Sequence, residues 1–218
     1  MKTFAKRVQR NLCRPLPDFI AYLKAKIGSL VWAPYFKSAG RGLYLATGAR
    51  VGGGKNISVG RGFYAGPFLW LDAIERHLDF TYTPAIEIGS NVSCSAFVHI
   101  AATTRITIGD GVLIGSNVHI TDHGHGQYSG DDQDMPSTRP AYRRLSTGKP
   151  VAIGANVWLG DGVVVLPGVK IGAGTIVGAN SVVSRSLPAN VIAVGAPAAP
   201  IKYFDPVSGS WQRIEELT

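Results

Sequence analysis

Cysteine is nearly absent from this 218-residue chain, where Cys13 and Cys94 are the only two. Two thiols build no disulfide framework, and no CxxC or Cys/His cluster reads as a zinc finger. Charge is also scarce, at 17% against 45% hydrophobic residues, which excludes a disordered chain. No segment approaches the ~20 consecutive apolar residues of a transmembrane helix. The N-terminus opens on basic residues but reaches Asn11-Leu12-Cys13-Arg14-Pro15 where a signal peptide needs an apolar core, so a cytoplasmic location is expected. Positive charge is missing from most of the chain. The net charge is +8, yet residues 1–41 hold nine basic residues and one acid, while the other 177 residues balance thirteen against thirteen. A surface coated in cations for nucleic acid is therefore disfavoured.

Glycine and proline are plentiful, at 27 and 13, and imply many tight turns. Aliphatic residues recur every six positions at Ile153, Leu159, Val165, Ile171, Val177 and Val183. A second apolar or small residue precedes each by two: Val151, Val157, Val163, Val169, Thr175 and Ser181. The same phase appears at Leu45 and Val51, at Val59, Ala65 and Leu71, at Ile88, Cys94 and Ile100, and at Ile108, Ile114 and Ile120. Period six fits neither a helix nor a long strand. It fits short strands with two inward residues each, stacked as a solenoid of triangular section. The spacing departs from six at 51→59, 71→88, 100→108 and 120→153, by two, eleven, two and twenty-seven residues. All four departures fall at one corner of the triangle, the edge on which solenoids carry functional insertions.

These hexads resemble the hexapeptide-repeat acyltransferases, over roughly residues 42–204. The segment Ala155-Asn-Val-Trp-Leu-Gly-Asp-Gly-Val-Val-Val-Leu-Pro-Gly-Val-Lys-Ile-Gly172 and the ending Val194-Gly-Ala-Pro-Ala-Ala-Pro-Ile-Lys202 are specific to members that use acyl-CoA. Trp70-Leu-Asp-Ala-Ile74 and Thr121-Asp-His-Gly-His125 look like the O-acetyltransferases that decorate bacterial surface polysaccharides. The resemblance implies an all-β solenoid: a left-handed parallel β-helix of about five to six coils, with a long loop at 121–152. It also implies acetyl-CoA as co-substrate, no metal, and a homotrimer with sites between neighbouring coils. The handedness rests on the resemblance alone, because general sterics favour right-handed crossovers.

The long excursion leaves the coil at Thr121-Asp122-His123-Gly124-His125. An alcohol attacking a thioester needs a base near neutral pH, and imidazole suits it. The resemblance places that base at His123, ahead of His125, with Asp122 able to orient the ring. His99 and His119 should point outward in successive coils, with Trp70 and Arg50 at the equivalent positions before them. This stripe suits either a sugar platform or subunit packing. The resemblance assigns coenzyme A contacts to Asp161, Ala179, Ser184, Arg185 and Lys202, with amides near Gly160 and Asp161 stabilising the oxyanion. Arg185 and Lys202 also make sense as phosphate partners on charge alone. Where relatives carry a second basic residue near the terminus, this chain has Ala199. Trp158 should face outward and Cys94 inward, so a thiol nucleophile is not expected.

The leading expectation is an O-acetyltransferase acting on a sugar hydroxyl of an O-antigen, capsule or precursor glycan. Within the same class stands N-acetylation of an amino sugar. Outside it stand a zinc carbonic-anhydrase-like β-helix, with His99, His119 and His123 or His125 as ligands, and a non-catalytic glycan-binding solenoid. The flanks read differently from the coils. Phe4, Val8 and Leu12 share a helical stripe, and a second helix follows with Asp18 as N-cap and Ile20, Leu23, Ile27 and Val31 on one face. This basic arm, 1–41, is expected to cap the first coil, to contact an anionic surface such as the inner membrane leaflet, or both. Residues 205–218 should form a C-terminal extension, as a short helix or an ordered tail.

Overall fold

Short strands at the six-residue phase wind the chain around three sheets. In the computed structural model, which describes residues 15–214, sheet A stacks Ser38–Ala39, Ile57–Val59, Ile86–Ile88, Ile106–Ile108, Val151–Ile153 and Lys170–Ile171. Sheet B stacks Tyr44–Leu45, Tyr64–Ala65, Ser93–Cys94, Leu113–Ile114, Trp158–Leu159, Ile176–Val177 and Val191–Gly195. Sheet C stacks Arg50–Gly52, Trp70–Ala73, His99–Ala102, His119–Thr121, Val164–Val165 and Val182–Val183. Every pairing between these strands is parallel and in register, as in Leu71↔Ile100↔Ile120↔Val165↔Val183.

Side chains alternate across each strand, so residues two apart point inward together. Leu69 and Leu71, Val98 and Ile100, and Val118 and Ile120 are accordingly buried in one continuous core. The corners need backbone with positive φ, which glycine and asparagine tolerate best. Between sheets A and B that position is held by Gly42, Gly62, Asn91, Gly111, Asn156, Gly174 and Asn190. Between sheets B and C two coils instead use Phe68 and Phe97, whose exposed rings stack at 4.9 Å.

The excursions all leave sheet C and re-enter at sheet A. One carries an antiparallel hairpin, Arg76–His77 with Phe80–Thr81. The longest holds a 3-10 turn at Pro140–Tyr142 and is pinned by an antiparallel bridge between His125 and Leu145. The two excursions that carry chemistry therefore meet on one edge.

The flanks correct two expectations and decide between two open alternatives. Helix α1 spans Leu16–Trp32 with Pro15 as N-cap, so Asp18 lies inside the helix and does not cap it; Pro17 presets the first turn. The apolar stripe of α1 does not pack on the first coil: Ile20, Leu23, Ile27 and Val31 face solvent, while Ala25 and Ser29 are buried. Small residues let the helix approach the first coil closely enough for Ser29 Oγ to accept the Leu45 amide, 2.9 Å away. The described part of the tail takes the ordered alternative: Ala198–Asp205 and Ser210–Arg213 add two antiparallel strands to sheet B. The first coil begins at Ser38, inside the segment assigned to the arm. The stripe of Phe4, Val8 and Leu12 lies outside the described residues.

Candidate active site

Where the coil turns from sheet C towards sheet A, the amides of Thr103, Thr104 and Arg105 have no ladder partner, and buried amides must find one. Asp122, one coil further on, supplies it. Its carboxylate is fully buried and accepts Thr103 N at 2.8 Å, Thr104 N at 2.8 Å and Arg105 N at 2.7 Å. His123 Nδ1 lies 3.1 Å from Asp122 Oδ1. Burial pushes the Asp122 carboxyl up, but the bonds from His123 and the three amides outweigh it and hold it below its ordinary value. Asp122 is thus an ionised acceptor, and Nδ1 of His123 donates to it. Thr121 Oγ1, 3.2 Å from the same nitrogen, and the Thr121 hydroxyl bond to the His123 carbonyl fix the turn. Among the described residues Nε2 of His123 has no such partner and is left as the basic nitrogen.

His123 opens into a cavity of about 470 Å³, whose walls include Asp72, Arg76, His77, His125 and Leu145. Asp72 escaped the reading of the sequence, although it shares the outward side of its strand with Trp70, two residues away, and that spacing was the available signal. Among the described residues its carboxylate has no hydrogen-bond or ion-pair partner. Burial raises its pKa, and the nearby His123 opposes that rise. Its neighbours in register are Gly52 and Ala101. A Cβ on Gly52 would stand 2.4 Å from Asp72 Oδ1, so glycine there keeps the carboxylate in place. His77 was also missed, because its excursion breaks the repeat. Its ring meets that of His125 edge to face at 5.3 Å, and its buried Nε2 has no hydrogen-bond partner among the described residues.

The stripe Arg50, Trp70, His99 and His119 lies in register on sheet C. Trp70 stacks on His99 with centroids 4.1 Å apart, and His99 lies 4.8 Å from His119. Burial, then the neighbouring His119 and His123, lower the pKa of His99 to about 4. Burial and His123 also lower that of His119. Both shifts favour the neutral form of the ring at physiological pH. Cys94 is buried, and burial raises its thiol to about 12. Trp158 is exposed on sheet B. No group of three or more His, Cys, Asp or Glu among the described residues is placed to hold a metal ion.

The residues expected at the donor are not all brought to His123. Ser184 and Arg185 are exposed on the same corner, between sheets C and A, in a later coil. Gly160, Asp161 and Ala179 occupy a different corner, between sheets B and C, and Lys202 lies on the antiparallel addition to sheet B. The Gly160 amide is already spent on the Val177 carbonyl at 2.8 Å, so it is not the oxyanion donor expected from the sequence. Asp161 has a structural task too, because its carboxylate accepts the Ser116 amide at 2.6 Å, as Asp110 does for Ser90.

Two family models match this frame: a bacterial transferase hexapeptide of six repeats over residues 150–185, and a hexapeptide repeat of succinyl-transferase over residues 105–124. The putative lipopolysaccharide biosynthesis O-acetyl transferase WbbJ of Escherichia coli is 41% identical over 159 residues, covering 72% of this chain and 77% of the relative. The chain belongs to the hexapeptide-repeat acyltransferases. As a member of that family it is an acyltransferase, and its three-sided solenoid is a left-handed parallel β-helix. The galactoside O-acetyltransferase of Escherichia coli is 35% identical over 134 residues, 59% of each chain. Among solved structures, a single-site variant of AntD, an N-acyltransferase from Bacillus cereus in complex with dTDP and coenzyme A, superposes with a TM-score of 0.62 at 25% identity. That match covers 77% of this chain and 84% of that one.

Proposed function

We propose that this hexapeptide-repeat acyltransferase moves an acetyl group from acetyl-CoA to a sugar hydroxyl of a surface polysaccharide, such as O-antigen or capsule, or of its precursor. The observation that carries the proposal is the pair of a buried, ionised Asp122 and His123, whose free Nε2 opens beside the unpaired carboxylate of Asp72. Asp72 accepts a hydroxyl of the sugar ring and orients it. His123 removes the proton from the attacking hydroxyl, and its oxygen adds to the thioester carbonyl. The tetrahedral intermediate collapses, the C–S bond breaks, and His123 returns the proton to the departing thiolate. No covalent acyl-enzyme forms. Trp70, His99 and His119 give the glycan a neutral aromatic face.

The separation of His123 from Gly160, Asp161 and Ala179 on different corners supports a homotrimer in which one protomer's C–A corner meets the next protomer's B–C corner. Each site then draws its base from one chain and part of its donor pocket, with Arg185 and Lys202 on the coenzyme A phosphates, from chains in contact. The work is placed in the cytoplasm, on the side where acetyl-CoA is made. N-acetylation of an amino sugar is the second reading, favoured by the AntD likeness and by the carboxylate of Asp72, which would hold an ammonium equally well.

The test incubates the purified protein with acetyl-CoA and a panel of p-nitrophenyl glycosides and amino sugars, following thiol release and the acetylated product by mass. Mild alkali separates the two readings, because it cleaves an O-acetyl ester and spares an N-acetyl amide. Thiol release without acetyl transfer to any sugar would sink both. Mixed oligomers of His123→Ala chains, altered on the C–A corner, and Ala179→Trp chains, blocked on the B–C corner, test the shared site: activity recovered on mixing supports it, and activity that stays lost argues for sites within single chains.

A further inference from the structure

The face of α1 that meets the solenoid is the small one. Ala25 and Ser29 are 5% and 4% exposed, and Tyr22 stacks on Tyr44, which stacks on Tyr64, continuing the aromatic ladder of sheet B. The larger apolar side chains are turned away: Leu16, Ile27, Leu30 and Val31 are 70%, 64%, 75% and 72% exposed, with Ile20 and Leu23 beside them at 43% each. At 3.6 residues per turn these six fall within about 60° of one line along the helix, opposite Ala25 and Ser29, and Lys24 and Lys26 fall about 80° to either side of it. A helix with an apolar stripe bordered by lysines lies in a membrane interface, its stripe at the acyl boundary and its cations among the headgroups.

Charge decides between the occupants of such a face. The whole excess of +8 lies in residues 1–41, and Lys2, Lys6, Arg7, Arg10 and Arg14 precede the helix. A second copy docked here would set cation against cation, whereas an anionic bilayer neutralises them. No helix among the described residues is long and apolar enough to cross a membrane, so the contact is one of lying on, not spanning.

We propose that the outward face of α1 is a binding surface for an anionic lipid bilayer, on which the solenoid stands by its N-terminal end. His119–Thr121 is three rungs along sheet C from Arg50–Gly52. At about 4.8 Å per rung, the site then stands on the order of 15 Å above the first coil. That height suits a sugar carried on a lipid, a point that rests on the glycan acceptor proposed above, as the membrane contact itself does not.

The experiment floats the full chain with vesicles of phosphatidylcholine alone and of phosphatidylcholine with phosphatidylglycerol. The chain should float with the anionic vesicles and leave them as salt rises. Leu30→Asp, at a side chain already in solvent, should lower the bound fraction on the order of tenfold. Its thermal melt should stay unchanged, as should acetyl transfer to a soluble p-nitrophenyl glycoside. Lys24→Gln, which removes only a charge, should weaken binding to the anionic vesicles alone. Equal flotation with both vesicle types, or Leu30→Asp binding as the parent does, overturns the proposal. So does a drop in the mass of the Leu30→Asp assembly by light scattering, which would assign the face to a second copy. Loss of acetyl transfer in the parent chain would instead strike the proposed activity and leave the lipid result standing.

Discussion

The carboxylate of Asp122, fully buried, lies 3.1 Å from Nδ1 of His123 and takes three backbone amides of the preceding coil at the same time. One side chain thus ties the turn of one coil to the imidazole of the next. The arrangement fixes the tautomer of His123 and leaves Nε2 to act.

Replacing His123 by Ala removes the base and should lower turnover by ~10²–10⁴-fold with the acetyl-CoA KM little changed. His125→Ala should keep near-parental turnover, because that residue is exposed and borders the cavity with no carboxylate bonded to its ring among the described residues. Steady-state kinetics of the two variants decides between them. A dead His125→Ala beside an active His123→Ala would reverse the assignment.

Asp122→Asn keeps the shape and loses the charge. An amide offers one acceptor oxygen where the carboxylate offers two, and its NH2 group must face the Thr104 and Arg105 amides or the imidazole. We expect a loss of about 1–3 kcal/mol in stability from the unsatisfied donors. Turnover should fall on the order of 10²-fold or more, as the imidazole loses its anchor. A lowered melting temperature with unchanged kcat would make Asp122 a structural residue only.

Acid should weaken the fold through His99. Its pKa is lowered from 6.5 to about 4 by burial first, then by His119 and His123. Between those values the unfolded chain binds more protons than the folded one, so stability is complete above pH 6.5 and declines as the pH falls towards 4. The decline should reach on the order of 1–3 kcal/mol, and thermal melts across this range should show a flatter slope for His99→Phe. Asp122, held below its ordinary 3.8, adds its own loss only in more acid solution. An unchanged slope in His99→Phe would show that the ring does not titrate with folding.

Asp72→Asn should raise the acceptor KM on the order of tenfold while sparing the acetyl-CoA KM, the price of one charge-assisted hydrogen bond. Gly52→Ala retains the carboxylate but drives it from its position, because the new Cβ would stand 2.4 Å from Oδ1. Both variants should fail to distinguish a sugar from its deoxy analogue at the hydroxyl that Asp72 holds. Parental discrimination in both would place the acceptor elsewhere in the cavity.

The solenoid was legible because its cause is local. Two inward residues per short strand and a positive-φ corner repeat every six positions, so Ile153, Leu159 and Val165 announce three sheets without any long-range contact. The take-off of the long loop at Thr121 could be placed for the same reason, whereas the choice of His123 over His125 came from the family resemblance. Asp72 and His77 were hidden because one needs stacking to bring it beside His123, and the other stands in an excursion that follows no period. The orientation of α1 stayed open because periodicity reveals that a helix has an apolar face, not which face the neighbouring coil admits. Sequence alone determined the repeat, the edge that bears the loops and the segment that bears the charge. Tertiary structure decided which carboxylate holds the imidazole and which side of the helix is left for a partner, since both depend on what lies within a few ångströms across coils.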